Sequence, residues 1–311
     1  MRRRLLAGLG LAAAGCADEP LRPAAPRGDE PLLTPWRNVI GGFLAPPAPA
    51  FGLPAKPGSG AFVKWIAPGA IALRGMDLLV ADLASGRLWR ADLGAQTISA
   101  IAGAPVGPGT ALALGPDLSA WVLDVPARQL LRFARDGRLL QTLRTGPASP
   151  SGFALADGGA SLLVADAGLA QWSELRPVGA LATTVLPRAG ERRITGSDAI
   201  AAGRESVYLL DRAAGRVHRV ARDGRVLASL GEGVLQQPVA LAVDRAERVF
   251  VADAQGPALH VLNTARPESV AAEALRVQQI GALAVDERTL ALADRLLGQV
   301  QLFTLRAEAA R

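Results

Sequence analysis

The residues best suited by type and spacing to do chemistry are six aspartates: Asp82, Asp124, Asp166, Asp211, Asp253 and Asp294. Each closes a short apolar run, from Leu78-Leu-Val-Ala-Asp82 to Leu290-Ala-Leu-Ala-Asp294, and successive members are 42, 42, 45, 42 and 41 residues apart. A ring of carboxylates could ligate a cation or supply general bases. The same carboxylates could instead accept hydrogen bonds from backbone N–H groups in the turns they open. Their equivalence decides between the two. A reactive site needs distinct roles, whereas a repeat needs one turn made six times, so a structural role is expected.

The rest of the chemical inventory is sparse. His218 and His260 each lie seven residues after an aspartate of the series, at equivalent places on neighbouring repeats, where the other repeats carry Trp89, Leu131, Ser173 and Gln301. No third ligand accompanies them, which argues against zinc. Ser151, Ser161, Ser197 and Ser206 have no base partner and suit turns. Gly107-Pro108-Gly109 is a turn and no phosphate loop. The chain is therefore expected to be no enzyme and to carry no metal and no cofactor.

Cys16, the sole cysteine, excludes a disulfide-stapled fold and a cysteine metal cluster. Its position suggests a modification instead. Arg2-Arg-Arg4 is followed by an apolar stretch from Leu5 to Ala14, too short for a resident membrane helix, and then by Gly15-Cys16. This resembles a bacterial lipobox, which implies removal of residues 1–15 and lipidation of Cys16. A plain secretory signal with an incidental cysteine is the other reading. By the same resemblance, Ala17 favours the outer membrane, facing the periplasm. Acyl chains bind lipid with about 0.8 kcal/mol per buried CH₂.

The formal charge of +6 falls to near +3 once Arg2, Arg3 and Arg4 are removed (6 − 3). With arginine in place of nearly all lysine, the excess does not describe a nucleic-acid surface. Half of the 311 residues are apolar and 20% are charged, as in a globular chain.

The elements that must position these residues follow from the repeat. Each unit of about 42 residues contains a small apolar strand such as Ala240-Leu-Ala-Val243, a polar turn, and the run ending in aspartate. A turn ending in Gly-Arg, a third strand, an Asp-Gly hairpin turn and a fourth strand complete it. That is one four-stranded propeller blade. The last unit stops after Leu302-Phe-Thr-Leu305 without a fourth strand, and Phe62-Val-Lys-Trp-Ile66 precedes the first unit. That N-terminal strand is expected to complete the last blade and close the ring. The expected fold is an all-β, six-bladed β-propeller over residues 61–306, after a proline-rich tether over 16–60 and before a tail at 307–311. Within the tether, the apolar residues from Trp36 to Leu44 are expected to lie on the domain itself, with a docking peptide for a partner as the alternative.

The units resemble the NHL repeat family, most clearly in Gly215-Arg-Val-His-Arg-Val-Ala-Arg-Asp-Gly-Arg-Val-Leu and Pro238-Val-Ala-Leu-Ala-Val-Asp244. The Asn-His pair common in that family is absent, and Val125-Pro126 and Gly168-Leu169 depart from its turn. The resemblance implies the fold and leaves function open. Calcium-dependent lactonases of similar architecture hold their ion with Glu, Asn and Asp at the channel. Here only Asp198 lies near an inner-strand start, and the two asparagines are Asn38 and Asn263.

What remains is surface. The face formed by the turns between second and third strands and by the loops between blades would carry Arg87, Arg192, Arg193, Arg212 and Arg295 with Val106, Val234, Leu235, Leu296 and Leu297. Arginine beside exposed apolar residues is a composition found at partner-binding patches. The leading expectation is a protein-binding scaffold with an envelope protein as partner, held to the membrane by the lipid at Cys16. The alternative is a small-molecule or carbohydrate-binding protein, or a hydrolase or lyase, using the channel mouth near Asp198.

Overall fold

The computed structural model describes residues 31–45 and 60–306, except 168–169, 178–181, 186–193, 195, 257 and 265–266. The expected signal segment, Cys16, most of the expected tether and the tail lie outside the described residues. The described chain forms six largely antiparallel sheets around a central channel, each built on one repeat unit, with N-terminal strands added to the first and the last.

Blade 1 illustrates the plan. Strand β4 (Pro68–Arg74) lines the channel, followed outward by β5 (Asp77–Asp82), β6 (Arg87–Asp92) and β7 (Thr97–Ala100). The second strand of each blade is an almost wholly buried apolar run, because it is pressed on both faces by neighbouring blades. Six apolar clusters result, one at each seam. At the seam of blades 6 and 1, for example, Trp65, Ile71 and Trp89 meet Ala291, Val300 and Leu302.

The ring closes with an N-terminal strand, but not the expected one. Strand β1 (Leu33–Val39) pairs antiparallel with the Gln299–Leu305 strand, from Leu33 opposite Leu305 to Val39 opposite Val300. Phe62-Val-Lys-Trp-Ile66 does not close the last blade. Its first three residues form β3 (Phe62–Lys64), which pairs with β2 (Gly41–Leu44), and β2 runs parallel to β7 on the outside of blade 1. The tether boundary at residue 60 is corrected accordingly. Although the segment is proline-rich, only Pro35 falls within β1, where the register shifts between Pro35 and Arg37. An edge strand tolerates the missing donor. The apolar residues from Trp36 to Leu44 do lie on the domain.

Closure is reinforced across the seam. Asn38 Nδ2 donates to Gln299 Oε1 at 2.7 Å, and Arg37 Nη1 donates to Leu93 O of blade 1 at 2.6 Å. Val39 is buried in the seam cluster itself. A chain beginning at residue 45 retains Phe62–Ile66 but loses β1. It is expected to unfold more than 10 °C below the full chain and to aggregate through the bared Gln299–Leu305 edge, which thermal unfolding and light scattering would register.

Candidate functional site

The propeller has two faces. The upper face carries the turns between second and third strands and the loops between blades. The lower face carries the remaining hairpin turns.

On the upper side the six aspartates serve the fold. Asp253 accepts the N–H groups of Gln236 and Gln237 at 2.7 Å each and of Gln255 at 3.0 Å. Asp82 accepts those of Ile66, Ala67 and Ala84 and the hydroxyl of Ser85, at 2.8–3.3 Å. Asp294 accepts from Gln278, Gln279, Leu296 and Leu297. Asp211 and Asp166 hold Gly196 and Ala148 in the same way. Asp124, in the Val125-Pro126 variant of the turn, accepts from Ala127 at 3.1 Å. Each carboxylate thus braces the turn it opens or the loop that enters its own blade. Asp198 also serves a turn. Its Oδ2 accepts the Arg212 N–H at 2.9 Å, where blades 1, 3, 5 and 6 use a backbone carbonyl for the equivalent N–H.

The two histidines lie within blades and away from the channel. His218 Nδ1 is 3.0 Å from Ser229 Oγ, and His260 Nδ1 is 2.8 Å from Ser269 Oγ, each serine being its cross-strand partner. The Nε2 atoms lie 3.7 and 3.8 Å from Asp211 and Asp253. Each histidine thus stands between an aspartate and a serine, and both are buried. Desolvation holds both imidazoles below the usual histidine range, against the opposing pull of the aspartates. Among the described residues, no group of three or more His, Cys, Asp or Glu side chains is placed to hold a metal ion.

The proposed partner face divides. Arg212 and Arg295 turn toward the channel and line a cavity of about 580 Å³ at its upper mouth. Arg212 Nη2 donates to Val239 O at 2.7 Å, and Arg295 Nη2 lies 3.4 Å from Gly69 O, each carbonyl belonging to the next blade's inner strand. Gly281 makes room for the second arginine, since a Cβ there would fall 2.3 Å from Arg295 Nε.

Leu296 and Leu297 are exposed on the outer side of that mouth. Their turn abuts Trp65 and Ile66, because a Cβ on Gly298 would fall 2.7 Å from Trp65 O and 3.1 Å from Ile66 O. Ile66, 62% exposed beside Leu296 at 66%, was not among the expected surface residues. Counting back 16 residues from Asp82, as from Asp294 to Gln278, would have placed it in an inter-blade loop.

Arg87 is exposed, its guanidinium 5.8 Å from the Trp89 ring centre. Leu235 is a correction: it is 6% exposed and packs into the seam of blades 4 and 5, drawn in over Gly231, while its neighbour Val234 is exposed as expected, at 45%. Arg192 and Arg193 lie outside the described residues.

The lower face is laced with ion pairs. Arg90 meets Asp77 at 3.0 Å, Arg219 meets Glu247 at 3.2 Å, and Arg248 meets Asp244 at 2.6 Å. Tyr208 donates to Glu247 at 2.6 Å, and burial together with that carboxylate pushes the phenol's pKa up. The Glu247 contacts tie blade 4 to blade 5, whereas the Arg90–Asp77 and Arg248–Asp244 pairs lie within blades 1 and 5.

No protein-family model matches the chain, and no curated protein matches it significantly. Solved structures do. A protein of unknown function from Bacteroides thetaiotaomicron is 14% identical over 86% of this chain and 75% of its own, with a TM-score of 0.62. Virginiamycin B lyase from Staphylococcus aureus, in a catalytically inactive histidine-to-alanine form with quinupristin, is 10% identical over 77% of this chain and 95% of its own, at 0.54. A gluconolactonase from Xanthomonas campestris is 14% identical over 78% and 87%, at 0.58. These likenesses show the fold alone.

Two outcomes follow from the geometry. Asp253→Ala leaves three loop N–H groups without their acceptor and is expected to cost about 3 kcal/mol in chemical denaturation. The histidines are held neutral, so the unfolded chain takes up protons more readily than the folded one. Stability is therefore expected to fall as pH drops below about 6.5. The His218→Gln/His260→Gln double variant should show a shallower decline in melting temperature between about pH 7.5 and pH 5.

Proposed function

We propose that this protein is a lipid-anchored envelope protein whose NHL-like propeller acts as a protein-binding scaffold through its upper face. The observation that carries the reading is the exposed apolar group formed by Ile66, Leu296 and Leu297 at the seam of blades 1 and 6. A rigid patch of this composition favours a partner's apolar side chains, with the polar remainder of the face as its rim.

The entry of the chain supports the same orientation. Leu32 O accepts from Arg306 N at 2.9 Å, and Arg306 O in turn accepts from Arg248 of a lower-face turn at 2.8 Å. A chain leading from Cys16 therefore joins the propeller on its lower side, leaving the upper face turned away from the anchor. The 16 residues from Cys16 to Leu32 span at most about 55 Å, so the scaffold would work close to its membrane. Ala17 makes the outer membrane the favoured site, with the propeller in the periplasm.

The lyase neighbour is inactive when a histidine is replaced. Both histidines here are enclosed in blades, and the channel wall is built from side chains such as Ile71, Phe153, Leu241 and Leu283. This favours binding over catalysis.

A photo-crosslinking residue placed at Leu296 in living cells is expected to give one discrete protein adduct. The same residue at Arg245 or Arg288 on the lower face should give none. Ile66→Asp with Leu297→Asp should abolish the adduct without lowering the melting temperature, and Cys16→Ser should move the protein out of the membrane fraction. Equal adducts from both faces, or none from the upper face, would overturn the scaffold reading.

A further inference from the structure

The position after each repeated aspartate is Leu83, Val125, Ala167, Arg212, Ala254 and Arg295 in the six blades. Four of the six are apolar, so the turn itself does not require a charge there. The two arginines are therefore additions to the fold, and both line the same cavity at the upper mouth of the channel. Each lies against one carbonyl of the next blade, Val239 O or Gly69 O. A guanidinium has five N–H donors, so most of its capacity is left for a ligand. Neither guanidinium forms an ion pair with a described residue, whereas Arg90, Arg219 and Arg248 on the lower face all do.

The charge around the mouth is one-sided. Among the described lining residues Asp198 is the sole carboxylate, and its Oδ2 is engaged by the Arg212 N–H. Two guanidiniums against one carboxylate leave a positive balance. Below them the wall is apolar, including Ile71, Phe153, Leu241 and Leu283. The volume, about 580 Å³, is that of a small-molecule site.

We infer that the upper mouth binds a small amphipathic organic anion, its oxyanion head drawn to the mouth's guanidiniums, Arg212 and Arg295, and its apolar body against the channel wall. A carboxylate and a phosphate monoester share the chemistry that two guanidiniums recognise. This site is separate from the Ile66–Leu296–Leu297 patch and stands whether or not that patch binds a protein.

The test is calorimetric titration of the full-length chain carrying Cys16→Ser, without detergent. Octanoate and octyl phosphate are the probes, with octanol, octyltrimethylammonium, acetate and inorganic phosphate for comparison. Saturable one-to-one binding of octanoate, octyl phosphate or both is expected, and whichever is tighter identifies the head group. Acetate and inorganic phosphate should bind at least about tenfold more weakly, having no apolar body. Octanol and the cation should not bind measurably.

Arg212→Gln with Arg295→Gln should weaken octanoate or octyl phosphate at least about tenfold. Both side chains also touch backbone carbonyls, so a second measurement on the unaltered arginines guards against a folding defect: raising NaCl to about 0.5 M should weaken the anionic probe and leave the fold intact. Equal binding of octanol and octanoate, affinity unchanged by both the variant and salt, or no binding by any probe would overturn the proposal.

Discussion

The structure depends on one recurrent interaction: a carboxylate at the end of each second strand, accepting backbone N–H groups from the surrounding turn and loop. The loop between two blades has no sheet to satisfy it, yet it is pinned against the protein on the upper face. An ionised acceptor with two oxygens solves this locally, since hydrogen bonds to a charged acceptor are worth more than neutral ones. Asp253, holding two residues of the incoming loop and one of its own turn, shows why the spacing is so regular. The interval between aspartate and loop is set by two antiparallel strands and a hairpin turn, and a change in length would pull the donors out of reach.

That arrangement gives the two faces different characters. On the upper face the repeated carboxylates are consumed by backbone donors, so arginines placed there find few partners. On the lower face Asp77, Asp244 and Glu247 lie at hairpin turns and are met by Arg90, Arg248 and Arg219. These pairs brace the lower-face turns around a cavity of about 530 Å³ at that end of the channel. The upper face keeps, at the channel, guanidiniums that form no ion pair with a described residue, and exposed apolar side chains at its outer side.

The blade count and the order of strands within a blade were legible because the aspartate spacing and the second-strand runs repeat with little variation. The closing strand was not, because it belongs to no repeat. Proline density over the preceding segment masked Leu33–Val39, where a bulge beside Pro35 makes a single proline compatible with an edge strand. Leu235 and Ile66 exchanged roles for a related reason. Inter-blade loops vary in length, and which apolar residue faces inward is decided by close packing, as over Gly231, and not by periodicity. Arg212 and Arg295 were legible as upper-face residues, but their convergence on one cavity depends on ring geometry.

The repeat also acts as an internal control on function. A residue present in all six units serves what all six must do, and the aspartates show this through their bonds. A residue present in only some units is free of that duty and is judged by its surroundings. The histidines occupy a slot that Trp89, Leu131, Ser173 and Gln301 fill elsewhere, and like Trp89 they are buried; there the departure is an alternative way to fill a blade, with a cross-strand serine meeting the polar atom. Arg212 and Arg295 depart from an apolar slot in the opposite sense. They bring charge to the mouth of an apolar channel, where the fold gains at most one backbone contact from each. Holding guanidiniums that pair with no described carboxylate over an apolar cavity contributes little to folding, so selection for a ligand there accounts better for both departures than selection for stability.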